Sequence, residues 1–172
     1  MERASLNSSI RLPRWEDLPD IDLYMDQVIR LSDKHLSPLG VKPITAAMIN
    51  NYVKLKLLPS PVGKKYSRLH VAFIFSIAIL KDVFEIIQIR EGILFETQTL
   101  GLKPAYNLFV IEVENAVRIV GHQAYESQPI LLLEGEITPE NRILKMAALA
   151  YATQRVAQYL IQTESEGEEK ND

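Results

Sequence analysis

In the stretch WEDLPDIDLYMDQVIRLSDKHL, apolar residues at Leu23, Met25, Val28, Ile29 and Leu31 recur at helical spacing and predict a helix to about Leu36. Asp20 or Asp22 is placed to cap it, with carboxylates near the positive end of its dipole. SPLGVKP reads as a loop from its Pro and Gly content. Thr45 then caps a second helix, from Ala46 to about Leu58, which Pro59 and Pro61 end. PSPVGKKY makes a turn or small hairpin around Gly63, and Ser67 caps a third helix over residues 68 to about 82. A short helix follows from roughly Phe84 to Glu91, with Gly92, Gly101 and Pro104 bracketing a connecting stretch.

Apolar positions 109, 113, 116, 117 and 120 give residues 105–126 a helical spacing. PILLLEGEIT reads as a short extended connector or as the end of that region. Thr138, Pro139 and Glu140 supply a cap, a first-turn proline and an acid at the dipole, starting a helix that runs to about Gln162. The first dozen residues read as loosely ordered, and the acidic end TESEGEEKND as disordered.

The longest apolar run, VAFIFSIAIL at residues 71–80, spans about 15 Å as a helix, half of a bilayer core, so it is expected to be buried in protein. The first residues carry no apolar segment after their charges and do not form a secretory signal. No cysteine is present, which removes disulfides, thiol nucleophiles and thiolate metal sites and fits a reducing cytoplasm. With 172 residues, 47% hydrophobic and 24% charged, the chain suits one globular domain or a small domain with a helical extension. Trp15 is expected to anchor the core.

Charge changes the picture. The net charge is −3, yet the window from Lys34 to Lys81 holds eight of the 19 Lys and Arg residues and none of the 22 Asp and Glu. A basic module on an acidic body is a footprint expected of phosphate binding. Within it, helical phasing at 100° per residue gathers Met48, Ile49, Tyr52, Val53 and Leu55 on one apolar face. Ala47, Asn50, Asn51 and Lys54 take the opposite side. Asn pairs with the N6 and N7 of adenine and lysine reaches guanine or phosphate, and a major groove accepts such a helix. A turn bearing Lys64, Lys65, Tyr66 and Arg68 adds donors beside it. Helix, short basic wing and a helix opening at a Ser cap is the order of a winged helix-turn-helix.

These residues resemble a known family. INNYVKLKLLP is similar to the second helix of mercury-resistance-regulator (MerR) type proteins, and KKYS followed by LKDVFEIIQI resembles their wing and next helix pair. The resemblance covers residues 44–90. It implies core roles for Tyr52, Leu57 and Leu58, DNA-facing roles for Asn50 and Asn51, and phosphate contacts for Lys64 and Lys65. Asn50 replaces the usual Arg, Lys56 the usual Gly, and Val83 stands where a Gly is usual, so sequence preference does not carry over. WEDLPDIDLYMDQV, MINNYVK and KKYS together look like the YkrK-type bacterial family, known only as a domain of unknown function; that resemblance implies a regulator and names no effector.

Catalytic motifs are missing: there is no GxSxG, Walker A or GxGxxG pattern. His35, His70 and His122 lack metal-ligand spacing, and the WEDLPDIDLYMD carboxylates lack the Gly and terminal Glu of a calcium loop. No enzyme activity, cofactor or metal is therefore expected. Ala147, Ala148, Ala150, Ala152 and Ala157 let helices approach closely, either within one chain or between two.

The expectation is a mostly helical (all-α) cytoplasmic protein with a MerR-like winged helix-turn-helix and a C-terminal helical region. Residues 1–14 form a flexible N-terminus, 15–92 the DNA-binding domain, 93–162 a helical dimerisation or effector region, and 163–172 a disordered tail. The partners expected are double-stranded DNA and a second copy of the chain, with no membrane. Thr45, Ala47, Asn50, Asn51, Lys54, Lys64, Lys65, Tyr66 and Arg68 form the expected contact surface. The alternatives are a protein-interaction adaptor whose basic face binds an acidic partner, and a small-molecule-binding helical protein or an enzyme whose site the sequence conceals.

Overall fold

The computed structural model describes residues 10–126 and 135–168 of the chain. Six helices dominate it: α1 (Met25–Leu36), α2 (Ala46–Lys54), α3 (Arg68–Leu80), α4 (Ile86–Leu100), α5 (Leu102–Glu126) and α6 (Arg142–Glu168). Two short strands, β1 (Leu23–Tyr24) and β2 (Lys65–Tyr66), pair antiparallel, Leu23 opposite Tyr66 and Tyr24 opposite Lys65. Strand alternation then buries Leu23 and Tyr66 and exposes Tyr24 and Lys65. This mostly helical fold with a small two-stranded sheet is broadly compatible with a winged-helix arrangement.

The first helix begins later than expected. Residues 23 and 24 are spent on β1, and the Tyr24 amide donates to the Gln27 side chain at 2.8 Å, so neither Asp20 nor Asp22 caps α1. Helix α2 starts as its cap predicts, with the Met48 amide donating to Thr45 Oγ1 at 3.2 Å. It stops at Lys54, four residues before Leu58. Leu57 N–H donates to Tyr52 O at 2.9 Å and Lys56 N–H to Val53 O at 3.0 Å, the bond pair of a Schellman motif. Lys56 takes the left-handed conformation that motif requires, at φ 55°.

Helix α4 is longer than the sequence suggests. Gly92 lies inside it and residues 93–100 are helical rather than a connector. Gly101, at φ 86°, breaks the chain between α4 and α5. Pro104 sits in the first turn of α5, where its missing N–H costs nothing. At the other end, residues 138–141 form a turn whose Thr138 carbonyl accepts from the Arg142 amide at 3.0 Å, so α6 begins one turn after the predicted cap. It extends to Glu168, past the Gln162 expected. Most of PILLLEGEIT lies outside the described residues, as do positions 1–9 and 169–172.

One core runs through the molecule. Leu12, Val28, Ile49, Phe75, Val110 and Ala152 belong to a single cluster of buried side chains. The proposed division at residue 92 therefore falls inside a helix and inside a shared core. The segment before Trp15 is tied down as well: Leu12 is fully buried, and Arg14 grips Glu114 of α5 with contacts of 2.9 and 2.6 Å. Trp15 meets Tyr106 edge-on, with ring centroids 6.3 Å apart. Among the described residues, no helix is long and apolar enough to cross a membrane.

Candidate nucleic-acid interface

The exposed side of α2 is the one its phasing predicts. Ile49 and Tyr52 are buried, while Ala46, Ala47, Asn50, Asn51 and Lys54 face solvent, as does the capping Thr45. Leu55 departs from the predicted apolar face and is 47% exposed, because the helix has ended before it and the Schellman turn swings it outward. The side chains of Asn50, Asn51 and Lys54 have no hydrogen-bonding partner among the described residues, leaving their donors and acceptors available.

The wing is a two-residue hairpin. Val62 and Lys65 exchange backbone hydrogen bonds of 3.2 and 2.9 Å, and the two residues between them, Gly63 and Lys64, have φ of 56° and 63°. Positive φ at both positions defines a type I′ turn, whose twist matches that of the flanking chain. Lys64 is thereby presented at the tip. Lys65 points to the exposed side of the sheet, its ammonium 5.3 Å from the centroid of the Tyr24 ring. Among the described residues Lys42, Lys54, Lys56, Lys64 and Lys65 have no carboxylate partner. These unneutralised cations follow from the carboxylate-free window.

Two expected contact residues are used otherwise. Tyr66 is 3% exposed: its pairing with Leu23 turns the side chain inward, where its ring meets His70 edge-on at 5.5 Å. Burial pushes its hydroxyl above the ordinary tyrosine range. Arg68 is half-buried, its Nε donating to the Pro19 carbonyl at 3.3 Å and its guanidinium carbon 5.9 Å from the Trp15 ring centroid. Both side chains brace the wing against the body instead of facing solvent. Sequence reasoning missed this because each role depends on a partner more than 40 positions away.

His70 completes the brace. The Ser67 amide donates to its Nδ1 at 3.0 Å, and Ser67 Oγ lies 2.8 Å from the same atom. Burial holds the imidazole below its ordinary titration range. The resulting frame, β1 to wing to α3, fixes the hairpin relative to the helices beneath it. Sequence reasoning also passed over Lys42 and Tyr24, both exposed on the segments that flank α1. The carboxylate-free window was the signal for Lys42; nothing in the sequence marked Tyr24.

Among the described residues, no cluster of His, Cys, Asp or Glu side chains is arranged to hold a metal ion. Compared with known proteins, the chain matches no curated protein and no solved structure. A family model described as Domain of unknown function (DUF1836) matches residues 13–109, which takes in the N-terminal strap, both strands, α1 to α4 and the start of α5. With more than half of its length matched, the chain belongs to that family.

Proposed function

We propose that the protein is a sequence-specific DNA-binding regulator of transcription that acts in the cytoplasm by occupying a promoter, with no chemistry of its own. The observation that carries this reading is the exposure of two basic elements with no carboxylate on either. One is the α2 face of Ala47, Asn50, Asn51 and Lys54; the other is the I′ hairpin with Lys64 at its tip and Lys65 beside it. Helix α2 enters a major groove, where Asn50, Asn51 and Lys54 reach base edges, and Thr45 lies near the backbone at the helix start. Lys64 and Lys65 hold flanking phosphates.

A MerR-like geometry is part of the proposal. Its support is Lys56: that family pattern places Gly here, and the backbone is left-handed at this position. The protein is proposed to bind as a homodimer, since two-fold symmetry lets paired modules reach two half-sites.

A second reading, an adaptor for an acidic protein, draws on Val62 and Leu55, which expose 80% and 47% of their surface beside the lysines. Salt dependence separates the two. Duplex binding that releases counterions gives a log–log slope of about −0.9 per neutralised phosphate. Lys64→Ala with Lys65→Ala is expected to weaken binding on all sequences and flatten that slope by about two phosphates' worth. Asn50→Ala should instead relax preference at one base position, by about 1–3 kcal/mol. An unchanged slope in the double lysine variant overturns the wing's role, and equal losses on every sequence from Asn50→Ala overturn base reading.

A further inference from the structure

Between α3, α4, α5 and α6 lies a cavity of about 690 Å³, open on one side, within the range of small-molecule sites. Its walls are apolar: Phe73, Phe84, Ile93, Phe109 and Met146 contribute most of the character. One carboxyl group is buried in this lining, together with Tyr106, whose hydroxyl already donates to the Pro13 carbonyl at 3.0 Å. Glu96 is 3% exposed, and both of its carboxylate oxygens lack a hydrogen-bonding partner among the described residues. The neighbouring polar side chains do not help it. Ser76 Oγ donates to the Ala72 carbonyl, Thr97 Oγ1 to the Ile93 carbonyl, and Gln88 Oε1 accepts from the Glu85 amide. Arg142, the one other charged residue along the lining, is solvent-exposed and forms no ion pair with Glu96.

A buried carboxyl without a partner is costly, and an apolar room around it admits no neutral compensation from the walls. Gly92 widens that room from inside a helix: a Cβ built there would meet no atom within 4 Å. We infer that this cavity is a binding site for a small apolar molecule carrying one protonated amine, its hydrocarbon body against the Phe and Ile walls and its ammonium on Glu96. The occupant supplies both things the site lacks, a cation for the carboxylate and apolar volume for the walls. Burial pushes the Glu96 carboxyl above its ordinary range when the site is empty, and a bound ammonium pulls it back. This inference does not depend on what α2 binds, so a failure of DNA binding leaves it standing.

Two probes of matched shape test it on the full-length chain: 1-naphthylmethylamine, which carries the charge, and 1-naphthylmethanol, which does not. Calorimetry at pH 7.5 is expected to give one amine per chain, bound at least tenfold more tightly than the alcohol. Glu96→Gln, an isosteric change that removes a buried charge, should bring the two probes to within about twofold of each other. Gly92→Leu, which fills the cavity and replaces a helical glycine with a better helix former, should abolish both. Equal binding of the two probes by the wild-type chain overturns the role of Glu96. So does a preference for the amine that survives Glu96→Gln. Binding of neither probe overturns the site. If that result comes with a wild-type dimer that Met146→Asp dissociates, the groove belongs to a second copy of the chain.

Discussion

Lys56, like Lys64, carries a side chain on a left-handed backbone. A non-glycine residue at φ 55° carries a steric cost that glycine avoids, and here the conformation is forced by the two hydrogen bonds that end α2. Lys56→Gly should therefore stabilise the fold by about 0.5–1 kcal/mol, read as a higher denaturation midpoint with unchanged denaturant slope. If Lys56 is retained for a phosphate contact, the same variant should bind duplex DNA more weakly despite its greater stability.

His70 links the wing to pH. Its Nδ1 accepts the Ser67 amide, so the ring must stay neutral there, and burial keeps its folded pKa below the 6.5 of an unfolded chain. The unfolded chain then binds more protons in the window below 6.5, and stability falls as pH drops through it. Burial lowers His35 in the same direction. Thermal unfolding should accordingly shift to lower temperature between pH 7.5 and pH 5.5. His70→Gln, which retains an acceptor for Ser67, should make that shift smaller; an undiminished shift would show that the ring is not its source. Glu96 has the opposite sign. Its folded pKa is raised above 4.5, so the stability it contributes is present below that value and lost as pH rises through the folded one.

At the scale of elements, helices whose periodicity is local were legible in the sequence, and contacts made across the chain were not. The phasing of α2 separated Ile49 and Tyr52 from Asn50, Asn51 and Lys54, because a 3.6-residue repeat needs only its own neighbours. Tyr66 was placed on the surface because its inward turn depends on β1, a strand of two residues with no pattern of its own. Residues 93–100 read as a connector because Gly92 and Gly101 bracket them. Tertiary packing overrides the first glycine, while the second ends the helix. Glu96 was invisible for the same reason, since its burial requires α4 to continue past Gly92.

The α5–α6 pair offers a separate test of packing. Lys145 of α6 is buried, Glu112 of α5 is largely shielded from water, and the two meet at 2.9 and 3.0 Å. Removing one partner strands the other charge away from water, so Lys145→Ala should cost about 3–5 kcal/mol. A single variant that costs no more than a surface substitution would count against the pair as a buried one.

Across the whole molecule, the C-terminal helices are joined to the α1–α2 turn. Tyr151 Oη and Arg155 Nε donate to the Leu39 carbonyl at 3.2 and 2.8 Å, and Gln154 Nε2 donates to the Asp82 carbonyl at 2.9 Å. Arg155 lies so close to Gly40 that a Cβ built there would fall 1.7 Å from its Nη2, which fits the left-handed glycine at that turn. Of the small residues read from the sequence, Ala148 and Ala152 are fully buried in the common core, Ala147 and Ala150 are half-buried along the cavity, and Ala157 is exposed. For the proposed dimer, Ile87, Leu94 and Phe95 on α4 are further exposed apolar candidates.

In the proposed function, α2 and its wing read duplex DNA as a two-fold pair. Sequencing the duplexes that the full-length chain retains from a random pool, at physiological salt, tests it most directly. The expected result is enrichment of a palindrome with half-sites about one helical turn apart, or a multiple of that spacing. A retained pool as random as the input would contradict it.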